Sequence, residues 1–347
     1  MTHRPERATS LDVAALAGVS QSAVSRAFTH GSSIKAATRS KILQAAQTLN
    51  YVPNSIASSL TTRHSNIVAL VLGSLQNPFY TRVFEQFNAE LQKKGRQTLT
   101  LILDEDVSAD DAIMRVLQYQ VEAIILTSAQ MSTRTVDLCH NRGIPLVLFN
   151  RYAPFSKTYG VRCDNEGGGR VIAEALLGAG ASSFLIITGD PNGSTSPDRV
   201  RGCVTRLLAA GIAPDKIHQI PGRSTYEGGG AAIDQFAATG RAFPDAVFGV
   251  SDIMAMGAMD TLRLRYGQRM PEDIMIAGFD GVPEAARPPY QLTTMSQPLQ
   301  RMVAETIDLL NLDADRPDDS LREDRPFPGE LIWRSTIPRS RNAQPLT

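Results

Sequence analysis

The chain has 347 residues, 42% of them hydrophobic, with 26 glycines, 20 prolines and equal numbers of basic and acidic side chains, 35 of each. That length allows two or three domains, and the composition is ordinary for a soluble α/β body. It excludes a membrane span, since no apolar run approaches about 18 residues, and MTHRPERATS at the start has no hydrophobic stretch of signal-peptide type. Cys139, Cys163 and Cys203 are isolated and lack C-x-x-C spacing. They point to a reducing cytoplasm and away from a disulfide framework or a zinc site.

The first predicted helix is announced by Thr9 and Asp12, the spacing at which a hydroxyl and a carboxylate cap the first turn reciprocally. It carries Val13, Ala14 and Ala17 on one face and stops at Gly18, which tolerates the left-handed backbone of a sharp turn. Ser20 caps a second helix, on which Ala23, Val24, Ala27 and Phe28 form one stripe. Gln21, Ser22, Ser25, Arg26 and Thr29 form the opposite one, so that one face packs and the other is free to read. A third helix brings Ile42, Ala45 and Leu49 to the same small core, closed by Tyr51. Any trio of amphipathic helices would give such stripes; charge separates the readings. Residues 1–65 hold seven Lys or Arg against two acids, and the other 282 residues carry the opposite excess. A basic N-terminal module on an acidic body is what phosphate binding by one domain alone produces, and it points to a helix-turn-helix reader of DNA.

Residues 54–64 form the predicted linker. Pro53 sets its start, and NSIASSL places Ile56 and Leu60 four apart on an otherwise small, polar helix, too short to hold itself together in water. Leu60 reads either as part of a plain tether or as an apolar group kept for a partner.

From Ser65 onward, continuous apolar runs (NIVALVLG, QTLTLILD, EAIILT, IPLVLFN, SFLIITGD, AVFGVSD, IMIAGFD) alternate with helical segments, the pattern of buried parallel strands with right-handed crossovers. Two half-domains are expected: lobe 1 over about 66–162 and 292–325, to which the chain returns through LTTMSQP, and lobe 2 over about 163–291 and 326–340, with a tail at 341–347. A ligand would sit between the lobes, at the strand carboxyl ends. The side chains there are Phe79 and Tyr80 of NPFY, Asp164 and Glu166, Thr195 and Arg199, Asp252, and Asp280. For each acid a helix cap or an interlobe salt bridge is the alternative, most of all for Asp252, which stands before a helix. Gly167–Gly169 and Gly228–Gly230 look like phosphate cradles but lack the strand-G-x-G-x-x-G-helix context, so close helix packing is the expected cause.

DVAALAGVSQSAVSR at 12–26, TRSKIL at 38–43, LNYVPNSIASSL at 49–60, NPFY at 77–80, SDIMAMGAM at 251–259, GFD at 278–280 and LTTMSQP at 292–298 occur in one order along nearly the whole chain. In these marks the chain resembles the lactose-repressor/galactose-repressor family of bacterial transcription regulators. The resemblance implies an α/β protein with an all-helical helix-turn-helix headpiece at 1–53, a hinge helix at 54–64, and a two-lobed effector and dimerisation domain at 65–340. That domain would be of the periplasmic-binding-protein-like type I, with parallel sheets. It implies that the helix from Gln21 to about Phe28 enters the major groove, with Gln21 and Ser22 setting operator choice. Arg26 would contact a base, its planar fork matching guanine, or would clamp a phosphate. Ser20, Ser25 and Arg39 read as phosphate-positioning. Thr29 replaces a common Asn, and Lys35 stands where a Ser often caps the third helix, which forfeits about 1 kcal/mol in exchange for a phosphate contact. Asn54, Ala57 and Leu60 match the hinge pattern, in which paired hinge helices order on DNA and a leucine wedges into the minor groove.

In the effector domain the resemblance implies that Arg199 and Asp280 hydrogen-bond the ligand. Arg223 falls about where some members place an aromatic residue, and a second guanidinium there would suit a carboxylate or phosphate. A neutral sugar or a nucleoside stays open beside a sugar acid or sugar phosphate, as does the choice between inducer and corepressor. The expected partners are a near-palindromic double-stranded operator, a small effector and a second copy of the chain. The tail after Trp333 has no leucine heptad, which favours a dimer over a tetramer. Two other classes share the body: a transport solute-binding protein, which needs a secretion signal and no basic headpiece, and a nucleotide- or nicotinamide-dependent enzyme. Against the enzyme, the sequence shows no phosphate loop, no metal cluster and no nucleophile–base spacing, and its five histidines are scattered. No cofactor, catalytic residue or metal ligand is expected; the reading is a regulator, a repressor of a catabolic operon under a sugar-like metabolite.

Overall fold

The structure is a computed structural model that describes residues 8–28, 32–53, 65–103, 107–127, 131–152, 158–310 and 324–338. The chain divides into two compact units at Asn66 and Ile67.

The first unit is built on helices α1 (Ser10–Ala17), α2 (Gln21–Phe28) and α3 (Ala36–Thr48). Thr9 and Asp12 cap α1 reciprocally: the Thr9 N–H donates to Asp12 Oδ2 at 2.8 Å and the Asp12 N–H to Thr9 Oγ1 at 3.4 Å. Gly18 ends the helix at φ +65°. The Ala23 N–H donates to Ser20 Oγ at 3.3 Å, while α3 starts at Lys35 with no side-chain cap. Val13, Val24 and Ile42, one from each helix, meet with small alanines in a core of their own. Tyr51 sets its ring edge-on to Phe28 at 5.9 Å.

In the second unit, strands β1 (Ile67–Leu72), β2 (Gln97–Ile102), β3 (Ala123–Leu126), β4 (Leu146–Phe149) and β5 (Tyr159–Cys163) alternate with helices α4 (Pro78–Lys93), α5 (Ala109–Val116) and α6 (Thr133–Asn141). The chain then crosses at Asp164 into α7 (Asn165–Gly178), β6 (Phe184–Thr188), α8 (Thr195–Ala209), β7 (Ile217–Pro221), α9 (Tyr226–Ala237), β8 (Ala246–Gly249), α10 (Asp252–Tyr266), β9 (Met275–Asp280) and β10 (Thr293–Ser296). It closes with α11 (Leu299–Leu310), β11 (Asp324–Phe327) and β12 (Glu330–Ile332). The sheets run β2-β1-β3-β4-β5-β11 and β7-β6-β8-β9-β10-β12, all parallel except for β12 against β10. In both, the winding reverses beside the first strand, and that reversal opens a crevice at the strand carboxyl ends.

One expected boundary is corrected. LTTMSQP was expected to open the return to lobe 1 at residue 292, but Thr293–Ser296 pairs in parallel with β9 in the second sheet. Its threonines are sealed there: Thr294 donates to Asp252, and Thr293 Oγ1 accepts from the Arg334 N–H at 2.9 Å. The return begins after Gln297, where α11 packs on α4, β4 and β5. A four-residue buried strand carries no mark of which sheet it joins; partner hydroxyls and carboxylates decide.

The glycine triplets are helix seams. A Cβ on Gly169 would run into the Arg199 carbonyl, and one on Gly202 into that of Glu166, so α7 and α8 touch backbone to backbone. Gly229 meets the Met254 carbonyl and Gly257 that of Tyr226 in the same way, joining α9 to α10. Gly257→Ala should therefore destabilise the protein by about 1–3 kcal/mol through overpacking. Gly178→Ala, at an open helical position with nothing within 4 Å, should be neutral or add up to about 1 kcal/mol. Denaturant unfolding of both variants checks the contrast, and equal stabilities would contradict the seam.

Candidate DNA-reading surface and effector cleft

On α2 the alternation of buried and exposed residues leaves Gln21, Ser22, Ser25 and Arg26 facing solvent while Ala23, Val24 and Ala27 are buried. The Gln21 Nε2 donates to Ser10 Oγ at 3.0 Å, pinning it toward α1, and the Ser20 and Ser22 hydroxyls lie 2.9 Å apart. Arg26 Nε donates to its own helix at Ser22 O, 3.3 Å, leaving the rest of the fork outward. Arg39 Nη2 donates to Ser32 Oγ at 3.3 Å and Lys35 is exposed, both beside α2 rather than on it. Thr29 and the hinge residues Asn54, Ala57 and Leu60 lie outside the described residues.

In the second unit a cavity of about 650 Å³ opens between the carboxyl ends of the two sheets. From the first lobe come the β1–α4 segment with Asn77, Phe79 and Tyr80, and Asn150 and Arg151 after β4. From the second come Thr195 and Arg199 on α8, Arg223–Glu227 after β7, Ser251 after β8, and Asp280 at the end of β9.

At its floor lies a buried ion pair. Arg199, 4% exposed, donates from Nε to Asn165 Oδ1 at 2.8 Å and from Nη1 to the Val250 carbonyl at 2.7 Å and Asp280 Oδ1 at 3.1 Å. Its guanidinium lies 3.7 Å over the Phe279 ring. Gln297 Nε2 also donates to Asp280 Oδ1, at 2.8 Å. Asp280 has φ +134°, an arrangement that L side chains rarely adopt. Behind it, fully buried Asp252 accepts from the Val282 N–H at 2.8 Å and so holds the turn that follows Asp280. Burial raises the pKa of both carboxyls above the ordinary range, Arg199 working against the rise at Asp280 and the charge of Asp280 adding to it at Asp252.

Six of the nine expected pocket residues thus line one cavity: Phe79, Tyr80, Thr195, Arg199, Arg223 and Asp280. Three do not. Asp164 caps α7, accepting from the Gly167 N–H at 2.9 Å. Glu166 pairs with Arg201 at 2.8 Å on the surface, and Asp252 is sealed behind the wall. All three sit in the first turn of a helix or just before it, where local capping chemistry claims a carboxylate. Sequence reasoning missed Asn77, Asn150, Arg151, Ser251 and Tyr226. The signal available was position: Asn150 and Ser251 each follow a continuous apolar strand, the first at φ +55°. Asn150 Oδ1 and Ser251 Oγ are buried without a hydrogen-bond partner among the described residues. Arg151 bridges the lobes, donating from Nη1 to Thr195 Oγ1 at 3.1 Å and from Nη2 to Tyr80 Oη at 2.6 Å. Tyr152 donates to Asp198 at 3.2 Å, and Arg82 to the Gly281 carbonyl at 2.9 Å, also across the cleft.

Comparison with known proteins joins the two units. The profile of bacterial regulatory proteins, lacI family, matches residues 9–54, and that of the periplasmic binding protein-like domain matches residues 173–337. The HTH-type transcriptional regulator DegA of Bacillus subtilis is 30% identical over 309 residues, 86% of this chain and 89% of that one. This chain belongs to the LacI family.

Two solved structures extend the likeness to the whole LacI-family fold. The lac repressor dimer bound to operator and an anti-inducer is 23% identical, with a TM-score of 0.82 over 95% of this chain and 99% of that one. The complex of the transcriptional regulator CelR with cellobiose is 27% identical, with a TM-score of 0.67 over 95% of this chain and all of that one. The chain is thus a DNA-binding transcription regulator, not an enzyme. Among the described residues no helix is long and apolar enough to cross a membrane, and no cluster of His, Cys, Asp or Glu is placed to hold a metal.

The Asp252–Asp280 pair makes stability depend on pH in a defined direction. Both carboxyls hold protons more tightly folded than unfolded, so their contribution to stability falls as pH rises from the ordinary carboxylate range toward neutrality. In Asp280→Asn that loss should shrink. Relative to wild type, the variant should gain ground between about pH 5 and 8 in denaturant unfolding; a constant gap would mean that the pair does not titrate in that range.

Proposed function

We propose that this regulator is a cytoplasmic repressor that binds a near-palindromic operator as a homodimer and is controlled by a polyhydroxylated, sugar-like effector in the interlobe cleft. The headpiece spans residues 1–53, the hinge 54–64 and the effector domain 65–340. The observation that carries the effector reading is the cavity of about 650 Å³ between the lobes, walled by polar side chains from both, among them Tyr80 and Arg151 on one side and Thr195, Arg223 and Ser224 on the other. Arg199 and Asp280 add a donor and an acceptor side by side, the arrangement that suits neighbouring hydroxyls. The related CelR was solved with cellobiose, a ligand of this chemistry.

Control follows from where those contacts fall. Arg151 to Thr195, Tyr152 to Asp198 and Arg82 to Gly281 tie the lobes together across the cleft. An effector that touches both lobes shifts their arrangement by its differential affinity for the closed and open forms, and the hinge of each protomer reports it to the headpiece.

On DNA, Gln21, Ser22 and Arg26 read bases from α2, while Ser20, Ser25, Lys35 and Arg39 hold phosphates. Thr29 takes a DNA-contact role beside them, and Asn54, Ala57 and Leu60 take the hinge role that the family resemblance implies. Arg26→Ala should weaken operator binding by about 1–3 kcal/mol per half-site and relax base preference. Arg39→Ala should weaken operator and scrambled duplexes alike. Titrations of both duplexes at fixed salt separate the two roles, and equal losses for Arg26→Ala would make it a phosphate contact.

Substitutions in the cleft test the effector reading. Arg199→Ala is a poor probe, because it strands a buried carboxylate at a cost of about 3–5 kcal/mol. Asp280→Asn keeps an oxygen for Arg199 and Gln297 but leaves the buried guanidinium without its counter-charge, and Asn150→Ala places alanine at φ +55°, so each variant is first shown to unfold cooperatively. Each should abolish the effect on operator affinity of a ligand found by thermal-shift screening, while ligand-free operator affinity stays within about tenfold of wild type. Fluorescence anisotropy with and without that ligand measures it. An unaltered ligand response in both variants would refute the cleft assignment.

A further inference from the structure

The charges of the cleft are not all balanced in the same way. Arg151, Arg199 and Arg223 line it, as do Asp190, Asp280 and Glu227. Arg199 and Asp280 are buried and neutralise each other. Asp190, Arg223 and Glu227 are exposed at the rim, where water screens them. Arg151 is different. It is half-buried, and each of its hydrogen-bond partners is uncharged: the Asn150 carbonyl at 2.8 Å, Thr195 Oγ1 at 3.1 Å and Tyr80 Oη at 2.6 Å. No carboxylate pairs with it among the described residues. Its Nε–H and one Nη2–H have no acceptor among them either, and Nε keeps accessible surface.

A guanidinium partly withdrawn from water and without a counter-charge gains from an anion that completes it. Arg151 is also held in place before any ligand arrives, by Tyr80 from its own lobe and Thr195 from the other. Little side-chain entropy remains to be lost on binding. Its neighbour Asn150 and the hydroxyl-bearing Tyr80 and Thr195 line the same cavity, so an anion site and polar groups for hydroxyls stand side by side.

We propose that the effector is a polyhydroxylated acid whose carboxylate or phosphate is taken by Arg151, with its hydroxyls among the polar side chains that share the cavity. The proposal rests on the cleft being the effector site and adds the class of molecule that fits it. Arg151 is then the residue that separates an acid from its neutral parent, since a neutral analogue leaves the guanidinium unpaired.

The test compares matched ligands on the full-length protein. D-glucuronate, D-gluconate, D-galacturonate and glucose 6-phosphate are set against D-glucose, sorbitol and D-galactose in thermal unfolding. The best binders are then titrated calorimetrically into wild type, Arg151→Gln and Arg151→Lys. At least one acid should raise the Tm more than its neutral counterpart at equal concentration. Arg151→Gln should weaken that acid at least about tenfold and the neutral counterpart by no more than about threefold, and Arg151→Lys should recover part of the loss. A preference for glucose 6-phosphate over the carboxylates, or the reverse, identifies the anion. Neutral sugars binding as tightly as the acids, or an acid preference that survives in Arg151→Gln, would overturn the proposal and leave the cleft reading standing. No stabilisation by either set would count against the cleft reading itself, and so against both. Should Arg151→Gln not fold, Arg151→Lys decides alone, since an unchanged ratio of acid to neutral affinity in it would contradict a role for the guanidinium's paired donors.

Discussion

The ion pair between Arg199 and Asp280 organises the effector domain. One guanidinium joins the start of α7 through Asn165, the end of β8 through Val250 and the end of β9 through Asp280, and rests on Phe279. Such a pair is favourable only when its remaining donors and acceptors are met, because desolvating two charges costs more than their attraction returns. Here the demand is met by Asn165, Val250 and Gln297, and Gln297 lies on one of the segments that cross between the lobes. The same network that makes the second lobe rigid therefore reaches the crossover. It also explains how Asp280 can persist at φ +134°: Asp252, held by Thr294 and the Val282 amide, clamps the turn from behind.

The two lobes repeat one plan. Each sheet reverses its winding beside its first strand, and in each the fourth strand ends on a polar residue with positive φ, Asn150 in one and Asp280 in the other. Backbone strain of this kind costs of order 1–3 kcal/mol and persists where surrounding contacts over-determine it. In the second lobe the glycine seams between α7 and α8 and between α9 and α10 do related work, bringing helix backbones close enough to set Arg199 and Tyr226 at the cavity wall. A cleft between two such lobes can be rigid within each half and mobile between halves, which is what a ligand-driven rearrangement needs.

Local signals in the chain carried the headpiece. A cap pair at Thr9 and Asp12, a left-handed stop at Gly18 and a stripe of small apolar residues on α2 are decided within a few residues of one another. Strand positions and strand-end pocket residues were legible for the same reason, as continuous apolar runs that end on polar side chains. The acids misled. Asp164, Glu166 and Asp252 stand at strand ends as Asp280 does, yet they serve a cap, a surface pair and a buried clamp.

What the sequence determined by itself is the order of elements, the family and the chemistry carried at each strand end, because helix caps, periodicity and charge segregation act over short stretches of chain. What only the tertiary structure decided is which of those groups remain unsatisfied. Arg199, Arg223 and Arg151 are all arginines near strand ends, but one is neutralised by a carboxylate 81 residues away, one stands exposed at the rim, and one is left charged between uncharged neighbours. Whether a polar atom has a partner depends on contacts between distant segments and on exclusion of water, and neither is encoded in any local run of residues.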